Sequence, residues 1–208
     1  MFAFLAGIAA GLLHVVSGPD HLAAVAPLAS DRDRGQWLTG LQWGIGHTMG
    51  VLLIAALLLL FKEQLPLDAV SAYSERIVGA SLIVIGAWGL RRAWVLKCSS
   101  AGVLRCQDAE VHSHTHAGAS FSMGTIHGLA GSSHLFGVLP ALAFPSRAAS
   151  VLYLAGFGLG AIAGMTAFSA AVGLLSTKLD RRSRRYSGVL YASSAMALVV
   201  GGVWLVGQ

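Results

Sequence analysis

Six apolar stretches follow one another along the chain, through roughly residues 2–28, 37–61, 72–96, 119–144, 149–175 and 186–207, with short polar connections between them. Each supplies the roughly 20 residues that a helix needs to cross the hydrocarbon core of a bilayer. The runs are apolar on every face rather than alternating, which disfavours barrel strands. In lipid only a helix satisfies such a segment's backbone groups internally. The pattern predicts an all-α membrane protein with six transmembrane helices. The first run lacks a basic leader region and is interrupted by His14, Asp20 and His21, so it is expected to be a span rather than a cleaved signal peptide.

Composition agrees with this reading. Hydrophobic residues make up 55% of the 208 positions and charged residues only 11%, against about a quarter charged in a soluble domain. Soluble enzyme folds, disulfide scaffolds, disordered tails and nucleic-acid modules are all disfavoured. The net charge of +5 reports orientation before it reports a partner. Eleven of the 14 basic residues lie in or beside the first, third and fifth connections: Arg32, Arg34, Arg91, Arg92, Lys97, Arg105, Lys178, Arg181, Arg182, Arg184 and Arg185. Lys62, Arg76 and Arg147 occupy the second and fourth. The expected orientation in the cell (inner) membrane places connections one, three and five in the cytoplasm and both termini outside. Cys98 and Cys106 then face a reducing compartment and read as ordinary thiols rather than a disulfide.

The chain repeats itself. Shifted by 113 positions, HVVSGPDH at His14–His21 falls on HGLAGSSH at His127–His134, with seven identities over residues 11 to 27. At a shift of 114, Gly44, Gly46 and Gly50 fall on Gly158, Gly160 and Gly164. Each half reads as three helices: one with histidines, one with a glycine stripe that lets backbones approach closely, one plain. Three crossings are odd, so the halves should enter the membrane from opposite faces, an inverted repeat of the transporter kind. The expected organisation is a first repeat at 1–97, a cytoplasmic loop at 98–117 and a second repeat at 118–208.

Polar residues inside the spans carry the candidate chemistry. Five of the eight histidines fall there, His14, His21, His47, His127 and His134, together with Asp20. Charged groups at the bilayer centre cost roughly 2.5 to 3.5 kcal/mol on insertion scales and mark function when they occur. Imidazoles beside one carboxylate suit nickel, cobalt, copper or zinc. Histidines seven apart on a straight helix stand about 10.5 Å apart along its axis, so one ion demands a break in the helix. Gly18 and Pro19 supply it, with half-helices expected over 2–17 and 19–29 and Asp20 at the second one's N-terminus. Gly131, beside Ser132 and Ser133, marks the equivalent break in the fourth helix. His112, His114 and His116 form a short histidine tract in the third connection, a secondary metal-binding loop by composition.

The segment H-x5-D-H from His14 to His21, continuing as HLAAVAPLAS, with WGIGHT around His47 and HGLAGSSH from His127, resembles the nickel/cobalt transporter family (the NiCoT and NicO group), in particular its short UreH-like branch. The resemblance implies passage of Ni2+ or Co2+, with His14, Asp20, His21 and His47 as essential residues. His127 and His134 follow from the internal repeat as much as from the family. The expected function is a secondary transporter without enzymatic activity or prosthetic group, since no P-loop is present. Its expected partners are the divalent ion, the lipid bilayer and a cytoplasmic metallochaperone, with no nucleic acid and the oligomeric state open. Transport should weaken on acidification, because a protonated imidazole has no lone pair for metal. Two other classes remain open. An intramembrane hydrolase would use Ser132 or Ser133 with His134, and a haem protein would use paired histidines.

Overall fold

The structure is a computed structural model that describes residues 1–29, 35–61, 67–100, 116–129, 132–179 and 184–206. Among the described residues eight helices follow in order: α1 (Phe2–Ser17), α2 (Pro19–Ala29), α3 (Gln36–Phe61), α4 (Leu67–Ser100), α5 (His116–Leu129), α6 (Ser132–Leu142), α7 (Arg147–Thr177) and α8 (Arg184–Val206). No strand occurs among the described residues. Four helices contain segments long and apolar enough to cross a membrane: Gln36–Leu57, Glu75–Val95, Arg147–Thr177 and Tyr186–Val206. α1 and α2 pass the same test together, bent by 74° at Gly18, and so count as a fifth. Large apolar side chains such as Val16, Val84 and Val199 are more than 60% exposed on the outside, where lipid rather than water is the natural solvent.

The break falls where expected, at the boundary between residues 17 and 19. The Gly18 amide donates to the His14 carbonyl at 3.0 Å and closes the last turn of α1. Pro19 has no amide to continue that ladder, but its fixed φ suits the first position of a new helix. The Gly18 carbonyl then accepts from the His21 and Leu22 amides at 3.1 and 3.4 Å, which starts α2. Where α6 hands over to α7, side chains satisfy carbonyls near the helix end. Ser150 Oγ donates to the Ala141 carbonyl at 2.6 Å, and Tyr153 Oη to that of Gly137 at 2.9 Å.

Glycine decides how the helices lie on one another. A Cβ on Gly7 or Gly11 of α1 would run into the Tyr153 or Phe157 carbonyl of α7, and one on Gly156 or Gly160 into the carbonyls of Phe4 or Ile8. The numbers rise together, so α1 and α7 run the same way. Gly124 and Gly128 of α5 meet the Trp43 and His47 carbonyls of α3 in the same sense. α3 and α7 run in opposite directions, with Gly40 against Met165, Gly44 against Ile162, and Thr48 Oγ1 donating to the Gly158 carbonyl at 3.3 Å. α4 and α8 are likewise opposed, Gly79 meeting Gly201 and Gly89 meeting Ser194. The expected glycine stripes are thus packing surfaces, seating α3 on α5 and α7 on α1.

α4 extends from Leu67 to Ser100, five residues before and four beyond the apolar run at 72–96. Arg91 and Arg92, within that run, and Lys97, just beyond it, therefore all lie on the last turns of α4. Arg92 stays there by lying 5.5 Å from the centre of the Trp88 ring, where the cation meets the negative face of the indole. Arg105 and the rest of the connection at 101–115 lie outside the described residues.

Candidate metal centre

The bend at Gly18 sets α2 at 74° to α1, and its first side chains lie against residues from α1, α3 and α5. Asp20 and His21 are 2% and 0% exposed, and His47 and His127 are also 0% exposed. His14, one turn before the bend, is only partly buried. His21 is the hub. Its ring centre lies 4.7 Å from that of His14, 4.9 Å from that of His47 and 4.9 Å from that of His127.

Asp20 ties two of these rings together. Its Oδ1 lies 3.0 Å from His21 Nδ1 and its Oδ2 lies 2.9 Å from His127 Nε2. A carboxylate can only accept, so the ring nitrogens facing it donate. That leaves the opposite ring nitrogens with lone pairs, the outer-sphere arrangement common around metal-binding histidines; an ion bound by Asp20 itself would instead take the place of the protons on the nitrogens that face it. The Gly18 φ is −89°, an ordinary value open to any residue. Glycine is needed for a different reason: a Cβ would lie 2.9 Å from Asp20 Oδ1 and collide with His21 Nδ1.

Two sets of donor atoms result. Those of His14, His21 and His47 lie within 4.8 Å of one another, as do those of Asp20, His21 and His127. Ligands on opposite sides of one ion stand about 4.2 Å apart at a metal–nitrogen distance of about 2.1 Å. Small side-chain shifts would therefore close either set around a first-row divalent ion.

Five of the six intramembrane positions singled out in the sequence thus come together: His14, Asp20, His21, His47 and His127. The sixth, His134, belongs to α6 but its side chain lies outside the described residues, as do those of Ser132, Ser133 and His116. Gly131, His112 and His114 also fall outside them. The sequence reading missed two aromatic residues at the site. Phe157 has its ring centre 5.4 Å from His14, and Trp43 lies 5.8 Å from His127. They occupy matching positions of the two glycine-stripe helices, 114 apart, so the repeat register held the signal. That register also places Ala161 opposite His47, and the cluster is correspondingly asymmetric. Asp20 is not the sole buried acid: Glu75 is 6% exposed, but it starts the apolar segment of α4, 14 residues before the Gly89 contact with Pro27 of α2.

Helices long enough to span a bilayer, with no strand among the described residues, and buried imidazoles around one carboxylate define an integral membrane protein with a polar cluster in its interior. The chain belongs to the family described as cytochrome c biogenesis protein transmembrane region, which matches residues 2–197. It is 36% identical over 207 residues to Chloroplast protein FOR GROWTH AND FERTILITY 2 of Arabidopsis thaliana, covering 97% of this chain and 55% of that protein. FOR GROWTH AND FERTILITY 1 of the same plant is 35% identical over 207 residues, with 94% and 56% covered. The chain spans about half the length of these two relatives. Urease accessory protein UreH of Bacillus sp. (strain TB-90) is 27% identical over 215 residues, covering 94% of this chain and 86% of that protein. This likeness is in keeping with a UreH-like family. No solved structure matches the chain.

Proposed function

We propose that the protein is a secondary transporter that moves Ni2+ or Co2+ across the membrane, with the ion as cargo held by His14, Asp20, His21, His47 and His127. The observation that carries this reading is the convergence of four imidazoles and one carboxylate at the bend between α1 and α2. Buried polar groups of this kind are expensive unless they serve a ligand or a pathway. Imidazole with one carboxylate is a donor set for late first-row divalent ions. The motif resemblance to the nickel/cobalt family and the likeness to a urease accessory protein support that choice of ion. The edge-on contacts of the His21 ring with its neighbours favour a bare ion over a flat haem, which needs an open slot between its two axial ligands.

In this reading α1–α4 and α5–α8 are two inverted three-helix units, with α1 plus α2 and α5 plus α6 each counting as one span of six. The repeat of contacts supports it. Gly11 on the Phe157 carbonyl corresponds to Gly124 on that of Trp43, and Gly160 on Ile8 to Gly46 on Phe121, after the shifts of 113 and 114. His134 joins the site from the second unit. His112, His114 and His116 receive the ion on the cytoplasmic side and pass it to a metallochaperone.

The test is accumulation of radioactive nickel in cells expressing His14→Ala, Asp20→Ala or His21→Ala. Asp20→Ala and His21→Ala are expected to reduce uptake to background, and His14→Ala to reduce it at least tenfold. Acidifying the medium lowers uptake by the wild type, because protons compete with metal for the same lone pairs. Uptake unaffected by all three substitutions refutes the site.

A further inference from the structure

The cluster contains two donor sets rather than one, and a single residue, His21, belongs to both. The first set is all imidazole: His14 from α1, His21 from α2 and His47 from α3. The second pairs His21 with Asp20 and with His127 from α5. The rings that only one set contains stand apart, with His47 and His127 centres separated by 6.3 Å. His14 and His47 instead stack at 5.7 Å with an interplanar angle of 20°.

The two sets are also closed off differently. His14 packs on Phe157 and His127 on Trp43. Phe157 is the neighbour of Gly158, which meets Thr48 of α3. Trp43 and Thr48 are five residues apart on that helix, about 7.5 Å along its axis. Each set therefore has its own aromatic cover beside a different stretch of α3, and both covers are buried, Phe157 at 2% and Trp43 at 0% exposure.

We infer that the site offers two overlapping positions to one divalent ion, and that the ion passes between them by exchanging His14 and His47 for Asp20 and His127, with His21 a ligand in both. The inference rests on the transport reading above for its direction of use, but the two positions are a matter of binding. Shared use of His21 limits the site to one ion at a time. The second position adds a negative charge that the first lacks, so the ion is held by different field strengths at the two positions. His21 is a ligand at both, so an imidazole donor is at hand on either side of the step and the ion is not released bare into an apolar interior.

Co2+ is the probe, because its visible absorption reports ligand number and type. Purified protein in detergent, with His112, His114 and His116 replaced by glutamine so that the third connection holds no metal, is the parent for the binding assay and is expected to bind one Co2+ per chain. In that parent His47→Gln, which leaves the second set whole, and His127→Gln, which leaves the first whole, should each still bind one Co2+ but with absorption bands shifted relative to each other. His21→Ala in the same parent should bind none. Two Co2+ per parent chain, identical spectra in the two glutamine variants, or loss of binding in either one overturns the inference. X-ray absorption on the Co2+-loaded parent leaves both donor sets untouched: two or three imidazoles per ion are expected, and four on one ion would overturn it. Uptake of Co2+ by vesicles containing the wild type is measured separately. Binding as described without uptake sinks the transport reading and leaves the two positions standing, whereas uptake with a single four-imidazole site does the reverse.

Discussion

At Gly18 one missing carbon governs the site. Its backbone is unremarkable in angle, so an added methyl would not strain the turn itself but would press on Asp20 and His21. Gly18→Ala is expected to abolish nickel uptake while the helices remain, at an overpacking cost of about 1 to 3 kcal/mol. Uptake and circular dichroism on the same preparation check this, and normal uptake would show that the carboxylate and ring have room to move. His14, Asp20, His21, His47 and His127 are legible from the sequence because an ionisable group is conspicuous in an apolar run. Phe157 and Trp43 stand out only through their matching positions in the repeat, since an aromatic residue in such a run otherwise looks like any core or lipid-facing side chain. Which ring nitrogen faces Asp20 is not legible, as it depends on partners from two helices more than 100 residues apart.

Among the elements, glycine separates helix faces that touch from faces that meet lipid. Gly11 and Gly124 each back onto a carbonyl of another helix, whereas nothing lies within 4 Å of a Cβ placed on Gly188 or Gly202. Gly11→Ala and Gly124→Ala should therefore lower thermal stability in detergent by about 1 to 3 kcal/mol. Gly188→Ala and Gly202→Ala should leave it unchanged or slightly raised, as alanine favours helix. Equal behaviour of the four variants would mean that these close approaches do not hold the bundle together. The break in the first helix is readable because Gly-Pro acts locally on the backbone ladder. The true extent of α4 is not, since the residues at 97–100 look like a connection although the helix continues through them to Ser100.

For the whole molecule the open quantity is sidedness. With basic residues concentrated in connections one, three and five, both termini are expected on the side opposite the cytoplasm. Reporter fusions that fluoresce only in the cytoplasm should be dark at residue 208 and bright within 101–115; a bright C-terminal fusion would reverse the assignment. The sequence by itself determined that the chain is helical and lipid-embedded, where its first helix breaks, and which ionisable residues lie within the apolar runs. These follow from composition and from interactions within a few residues, which any fold of the chain must respect. Only the tertiary structure decided that α1 lies along α7 and α3 along α5, that His21 stands at the centre of the cluster, and that its donors divide into two sets sharing that one ring. Those outcomes depend on close approach between helices distant in sequence, where the absence of a Cβ on one and the direction of a carbonyl on the other must coincide.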